Sequence, residues 1–404
     1  MRLRTLEDLG DVAGRRVFVR LDLNVPLQDG VVTDDARIRA SMPTLTELLE
    51  RGASIVAASH LGRPKGRVAE SLRLGPVAEV LRRSLGRVVE YVPTDGVLSP
   101  EVEQSCQALA FEPGRLVLLE NLRFDPGEEA NDRAFAQRLA GLADAYVDDA
   151  FGAVHRAHAS VAALPEVFQE QGRDTAAGRL LQREVDALSR LVGDPERPYV
   201  AVLGGAKVSD KLGTIGALVE RVDALLIGGA MAFTFIAAEG GAIGASVVEP
   251  DRFEQVRAAR ARADERGVVL QLPEDVVAAT AKTVEAARHT VPSANVPAGE
   301  IGLDIGPRTV EEFARSIADA KTIVWNGPMG VFELEPFGAG TRGVATAIAG
   351  ASAFAVVGGG DSLAAVKEYG LESGFDHLST GGGASLEFIE GRELPGIAVL
   401  EVAT

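Results

Sequence analysis

The stretch VLGGAKVSDKLG (202–213) runs from an apolar segment into paired glycines and then two lysines, Lys207 and Lys211. Glycines at a strand end let backbone N–H groups approach a phosphate, and a helix starting just beyond them favours its negative charge. Spaced four apart, the lysines share a face if a helix begins here. The spacing is not that of a P-loop, G-x-x-x-x-G-K-[ST]. Other apolar runs end in glycine in the same way: GGAMAF (228–233), NGPMGVFE (326–333), GGGDS (358–362) and STGGGAS (379–385). Three consecutive glycines are entropically costly unless the backbone must come close to something. This set suits a nucleotide. Asp361, directly after three glycines, is placed to hold the Mg²⁺ that accompanies one.

The first half carries a different set. Asp22 and Asn24 follow RVFVRL, HLGRPKG (60–66) follows SIVAAS, NLRF (121–124) follows RLVLLE, and AFGAVHRAH (150–158) follows AYVDD. His60, Arg63, Arg123, His155 and Arg156 would gather on one rim. Guanidinium groups grip carboxylates and phosphate esters through paired hydrogen bonds, so this rim fits a small, highly anionic molecule. A single arginine usually only solvates a surface. Four strand ends supplying basic or amide groups together are a coincidence that packing does not require. His155 and His158 have H-x-x-H spacing, but no carboxylate or thiol pattern completes a metal site, so His60, His155 and His158 are read as hydrogen-bonding groups.

GAGTRG (338–343) satisfies G-x-G-x-x-G and opens a rival reading, a dinucleotide-dependent dehydrogenase working through Gly338–Gly343. That fingerprint needs a strand immediately before it. A loop with proline and glycine stands there instead, so the segment reads as a helix start.

These residues must be positioned by elements, and the elements alternate. Strands are predicted at 16–21, 54–59, 88–91, 115–120 and 145–149, then at 199–203, 223–228, 268–272, 322–325 and 353–358, with helical periodicity between them. Alternation of this kind implies parallel βαβ units. Ligands of such sheets bind beyond the carboxyl ends of the strands, where both sets of residues fall. The fold class is therefore α/β, with two doubly wound parallel-sheet domains. TAAGRLLQREVDALSRLV (175–192) reads as a long connecting helix without an adjoining strand, ended by Gly193 and Pro195. The length of 404 residues also argues for two domains. A net charge of −17 argues against nucleic acid or an anionic membrane as partner. A lone cysteine, Cys106, excludes an internal disulfide framework, and no long apolar run could span a bilayer. A cytoplasmic setting is expected.

At this point the motifs VRLDLNVP, SHLGRPKG, LLENLRF, DAFGAVHRAHAS, GGAKVSDK, GGAMAFTF, WNGPMGVFE, GGGDS and STGGGASLEFIEGRELPG stand in one order across both halves. In these the chain resembles phosphoglycerate kinase along nearly its whole length. The resemblance implies two Rossmann-like domains, 1–172 for 3-phosphoglycerate and 193–385 for nucleotide, joined by a hinge helix over 173–192, with 386–404 returning to the first. It implies reversible Mg²⁺-dependent transfer from 1,3-bisphosphoglycerate to ADP, giving 3-phosphoglycerate and ATP, by a monomer. The implied substrate positions are Asp22, Asn24, Arg37, His60, Leu61, Gly62, Arg63, Arg123 and Arg156. The nucleotide positions are Gly205, Lys207, Lys211, Gly228, Gly229, Gly302, Pro328, Glu333, Gly359, Gly360, Asp361 and Ser362, with the metal on Asp361. Arg37, Lys207, Gly382 and Gly383 are assigned to the group in transit. The chain departs from the family's usual V-N-D-A-F-G at 147–152, where Asp148 replaces asparagine, and lacks the usual D-C-V-G within 93–100.

No nucleophilic triad or reactive-cysteine setting is present. None is needed where the attacking group is an ionised carboxylate and catalysis rests on positioning and charge. With the two rims on separate domains, closure must bring the ligands together and exclude water.

Overall fold

The protein is described here by a computed structural model covering residues 2–402, apart from the side chain of Phe111. The chain divides into two compact units. One holds the residues up to Asp186 together with those from Glu393 onward; the other is Ala187–Arg392. The division falls inside the helix Arg179–Val192, and residues 386–392, counted above with the returning segment, lie with the second unit.

The first unit is built on six strands: β1 (Arg16–Leu21), β2 (Ser54–Ala58), β3 (Val89–Tyr91), β4 (Leu116–Leu118), β5 (Ala145–Asp149) and β6 (Thr175–Ala177). Their order across the sheet is β3-β4-β2-β1-β5-β6, and every pairing is parallel. Strands β2 and β5 are buried at every position, as expected where helices cover both faces. Fully burying a side chain such as Phe18 or Val19 contributes about 1.5–3 kcal/mol. The hydrophobic core runs from Leu6 through β1, β2 and β4 to the helix Gly75–Leu85.

Strand β6 corrects the sequence reading of 175–192. Thr175–Ala177 is extended and pairs with β5, Tyr146 opposite Thr175, before the helix begins at Arg179. Small side chains fit this buried sheet edge. Gly178 then makes the turn, where a Cβ would lie 2.2 Å from Asp149 Oδ1.

The second unit repeats the plan with β7 (Tyr199–Leu203), β8 (Ala224–Ile227), β9 (Val269–Gln271), β10 (Thr322–Asn326), β11 (Phe354–Gly358) and β12 (His377–Ser379). The order is β9-β8-β7-β10-β11-β12, again all parallel. The strand order reverses between β7 and β10, which is where ligands bind in such sheets. Strand β12 was not read from the sequence. Nor was an antiparallel three-stranded sheet of Asp275–Ala279, Arg288–Pro292 and Ile301–Ile305. Its outer strand, RHTVP, is mostly exposed and carries little apolar periodicity to announce it.

Candidate functional site

In the first unit the residues beyond β1, β2 and β4 are tied into one rim. Arg37, in the first turn of the helix Ala36–Glu50, is ion-paired with Asp22, which is almost fully buried beyond β1. Asn24 Oδ1 accepts the Gly62 N–H at 2.9 Å, linking the β1 and β2 loops. Asn121 links the β2 and β4 loops. Its Oδ1 accepts the N–H groups of Leu61 and Arg123, both at 3.1 Å, while its Nδ2 donates to the carbonyls of Leu61 and Leu72. Arg123 Nη1 in turn donates to Gly62 O at 2.7 Å. Gly62 adopts φ +60°, and a Cβ there would sit 2.7 Å from Leu72 Cδ2, so the turn presenting Arg63 needs glycine.

His60 is buried at the end of this rim, with Nδ1 3.1 Å from Arg20 Nη2. Burial, then the charges of Arg20, Arg123 and Arg37, hold its pKa well below the ordinary histidine value. His158 is lowered to about 4 by burial and by Arg123 and Arg20. Arg63 and Arg156 are exposed, and Arg156 Nε donates to His155 Nε2 at 3.0 Å. Arg37 held by the Asp22 carboxylate, Arg123 held by a backbone carbonyl and buried histidines biased toward the neutral form prepare this rim for an anion.

In the second unit the glycine loops close around a cavity of about 340 Å³, lined by Gly205, Gly229, Gly302, Pro328, Glu333 and Asp361 among others. Gly205 N donates to Pro328 O and Gly229 N to Met329 O, so the loops beyond β7, β8 and β10 are in backbone contact. Gly229 has φ +65°, and a Cβ there would lie 2.6 Å from Gly205 N. Gly228 lies against Met329, and the Phe233 ring occupies the space a Cβ on Gly302 would need.

The two lysines do not share a helix face. The helix begins only at Leu212, with Lys211 as its capping residue and a turn before it. Lys207 is exposed; Lys211 is buried and bonded to Asn326 through both the backbone carbonyl, at 2.9 Å, and the side-chain oxygen. Burial lowers the Lys211 pKa to about 8, against the opposing pull of Asp210 and Asp361. Gly359, at φ +92°, precedes the helix Gly360–Glu368, leaving Asp361 exposed in its first turn. Ser362 is fully buried, and its hydroxyl accepts the Gly327 N–H at 2.6 Å. Gly382, at φ +55°, precedes the helix Gly383–Ile389; neither Gly382 nor Gly383 lines the cavity.

Among the described residues no group of three or more His, Cys, Asp or Glu side chains could hold a metal ion. An exposed Asp361 at the cavity wall fits Mg²⁺ carried by a polyphosphate, because that ion keeps waters and takes only one or two carboxylates alongside phosphate oxygens.

GAGTRG is spent on packing. Gly340 N donates to Asp304 Oδ2 at 2.7 Å, and a Cβ there would lie 2.3 Å from Asp304 Oδ1. Thr341 Oγ1 accepts the N–H groups of Met329 and Gly330. A Cβ on Gly343 would lie 2.5 Å from Val310 Cγ1. A 3₁₀ turn, Glu335–Phe337, and not a strand precedes it. The segment clasps the wall of the cavity, and the dinucleotide reading lacks its structural context.

Sequence reasoning missed Arg20, Asn121, Asp304 and Thr341. Arg20 and Asp304 did leave a signal: Asp304 is a charge within an otherwise apolar strand, and Arg20 stands among apolar residues of a strand whose other charge, Arg16, is at its start. Asn121 and Thr341 act through backbone partners that only the fold brings near.

A sequence model of the family described as "Phosphoglycerate kinase" matches residues 6–392. A protein of Thermomicrobium roseum with that name is 52% identical over 98% of this chain and 99% of its own length. A namesake from Salinispora arenicola is 53% identical over 99% of this chain and 100% of its own. Among solved structures, phosphoglycerate kinase from Coxiella burnetii superposes with TM-score 0.87 at 39% identity, covering 99% of both chains.

Proposed function

Since the chain belongs to the phosphoglycerate kinase family, we propose that its two rims divide the work of the reaction. The chain is a kinase whose phosphate acceptor is a carboxyl group: it transfers a phosphoryl group reversibly from 1,3-bisphosphoglycerate to ADP, giving 3-phosphoglycerate and ATP. The observation that carries the division is the first unit's basic rim, pre-assembled by the Asp22–Arg37, Asn24–Gly62 and Arg123–Gly62 contacts.

On this reading Asp22, Asn24, His60, Arg63, Arg123 and Arg156, with the Leu61–Gly62 backbone, hold 3-phosphoglycerate. Gly205, Gly228, Gly229, Gly302, Pro328 and Glu333 shape the nucleotide site. Lys211 and the Gly359–Ser362 turn face the phosphate chain. Asp361 holds Mg²⁺, which when bound neutralises phosphate charge and orients the chain.

An oxygen of the ADP β-phosphate forms a bond to phosphorus as the phosphorus–acyl oxygen bond breaks, and the electron pair stays on the departing carboxylate. No proton has to move, so no general base is needed. Arg37, Lys207 and the N–H groups of Gly382 and Gly383 meet the charge spread over the three equatorial oxygens. Direct transfer requires the units to bring their ligands into line and exclude water. The reading includes a monomer working in the cytoplasm. A coupled assay with ATP, Mg²⁺ and 3-phosphoglycerate tests it, and absence of ADP formation dependent on 3-phosphoglycerate would overturn it.

A further inference from the structure

We propose that Arg20, outside the residues assigned above, is a positioning residue that fixes the tautomer of His60 and so presents its Nε2–H to the anionic substrate. The inference rests on the reading that His60 faces 3-phosphoglycerate.

Arg20 is a charge in the middle of a parallel sheet. It lies opposite Ala58 on one side and Asp148 on the other, and is fully buried. Its Nη2 is 3.1 Å from His60 Nδ1. Guanidinium nitrogens carry only donors and stay protonated in proteins, so Nδ1 must be the acceptor. The ring proton of neutral His60 is then on Nε2. A doubly protonated ring would set an N–H against a guanidinium N–H in a buried space. Both burial and the Arg20 charge oppose it.

The guanidinium is itself locked. Its Nε donates to Ser160 Oγ at 2.8 Å, and Nη1 donates to Leu21 O. Ser160 Oγ donates to Glu128 Oε1 at 2.6 Å, while Ser160 N donates to Glu128 Oε2 at 3.0 Å. Tyr146 OH bridges Ser160 O and Asp148 Oδ2. Every one of these groups is buried, so the frame cannot swing without breaking several hydrogen bonds. On the reading that His60 faces the substrate, the nitrogen left to meet it is Nε2, whose proton is set by what Nδ1 accepts. A purely structural Arg20 would stabilise the sheet but leave the ring free to choose its tautomer.

The test is long-range ¹H–¹⁵N correlation on histidine-labelled protein at pH 7, with the His60 signals assigned by their loss in His60→Gln. The expected result is a single Nε2–H tautomer in the parent protein. In Arg20→Met an Nδ1–H population should appear, and 3-phosphoglycerate affinity should fall about tenfold or more, the weight of a hydrogen bond to a charged group. ADP affinity should stay unchanged. An Nδ1–H or mixed tautomer in the parent, or an unchanged tautomer in Arg20→Met, overturns the proposal. Should Arg20→Met not fold, the parent spectrum decides alone. If 3-phosphoglycerate leaves the His60 signals unmoved, the substrate reading falls while the tautomer assignment stands.

Discussion

At the scale of single residues, the two lysines of one motif have separate physics. Lys207 is exposed, and on the proposed reading it meets charge only where the transferring group passes. Lys207→Ala is expected to lower kcat by about 10²–10³-fold, or about 3–4 kcal/mol, with ADP affinity little changed. Steady-state kinetics beside direct ADP binding checks this, and a kcat within about threefold of the parent would remove the catalytic role. Lys211 is buried, with its pKa lowered to about 8, so its ammonium is present below that pH and lost above it. Bound phosphate favours the charged form, so ADP binding above about pH 8 should take up a proton and weaken as pH rises. ADP titrations from pH 7 to 9 in buffers of differing ionisation enthalpy should show that uptake, and it should vanish in Lys211→Met. The sequence marked both lysines as candidates to meet phosphate. It did not mark their difference, because that depends on the helix starting at Leu212 and on Asn326 arriving from β10.

At the scale of elements, the helix Arg179–Val192 is anchored from the end of β5. Asp149 Oδ1 accepts the N–H groups of Leu180 at 2.8 Å and Leu181 at 3.2 Å, and Thr44 Oγ1 accepts the Arg179 N–H at 2.7 Å. Burial raises the Asp149 pKa from 3.8 to about 8. The native carboxyl is thus protonated over a range where the unfolded one is ionised. Its contribution is full below about pH 4 and is lost as pH rises through about 8. Asp149→Asn keeps an acceptor for both N–H groups and cannot ionise. Its stability relative to the parent should therefore rise between pH 5 and pH 8.5. Asp149→Ala removes the cap and should cost about 1–2 kcal/mol at pH 5, a cost that shrinks by pH 8.5 because alanine cannot ionise either. Urea melts of the three proteins decide this, and parallel pH profiles for parent and Asp149→Asn would refute it. The alternation of strands and helices was readable because buried parallel strands are continuous apolar runs, as in YVAVL and SIVAA. Thr175–Ala177 and Arg288–Pro292 were not. The first is three small residues leading into a helix pattern, and the second is an exposed edge whose pairing is set by its neighbour.

At the scale of the whole molecule, each rim is built by one sheet on one core. The residues holding the Leu61–Gly62 turn just before Arg63, namely Asn24, Asn121 and Arg123, all belong to the first unit, while the cavity between the glycine loops is lined wholly by the second. Composition made two domains the default, and the motifs placed one anion rim in each half. What the sequence left open was whether each rim is complete within its own unit. The contacts just named indicate that each is held together without help from the other, so binding should be separable even though turnover is not. If Arg63 holds the substrate as proposed, Arg63→Ala removes one charge-assisted contact and should weaken 3-phosphoglycerate binding about tenfold to a hundredfold. ADP affinity should stay within about threefold, a difference of about 0.65 kcal/mol. An exposed arginine that only solvates the surface would change neither. Calorimetric titration of each ligand alone separates these outcomes. Equal losses for both ligands would mean that Arg63 supports a structure shared by the two sites, and the division of labour between the rims would fall.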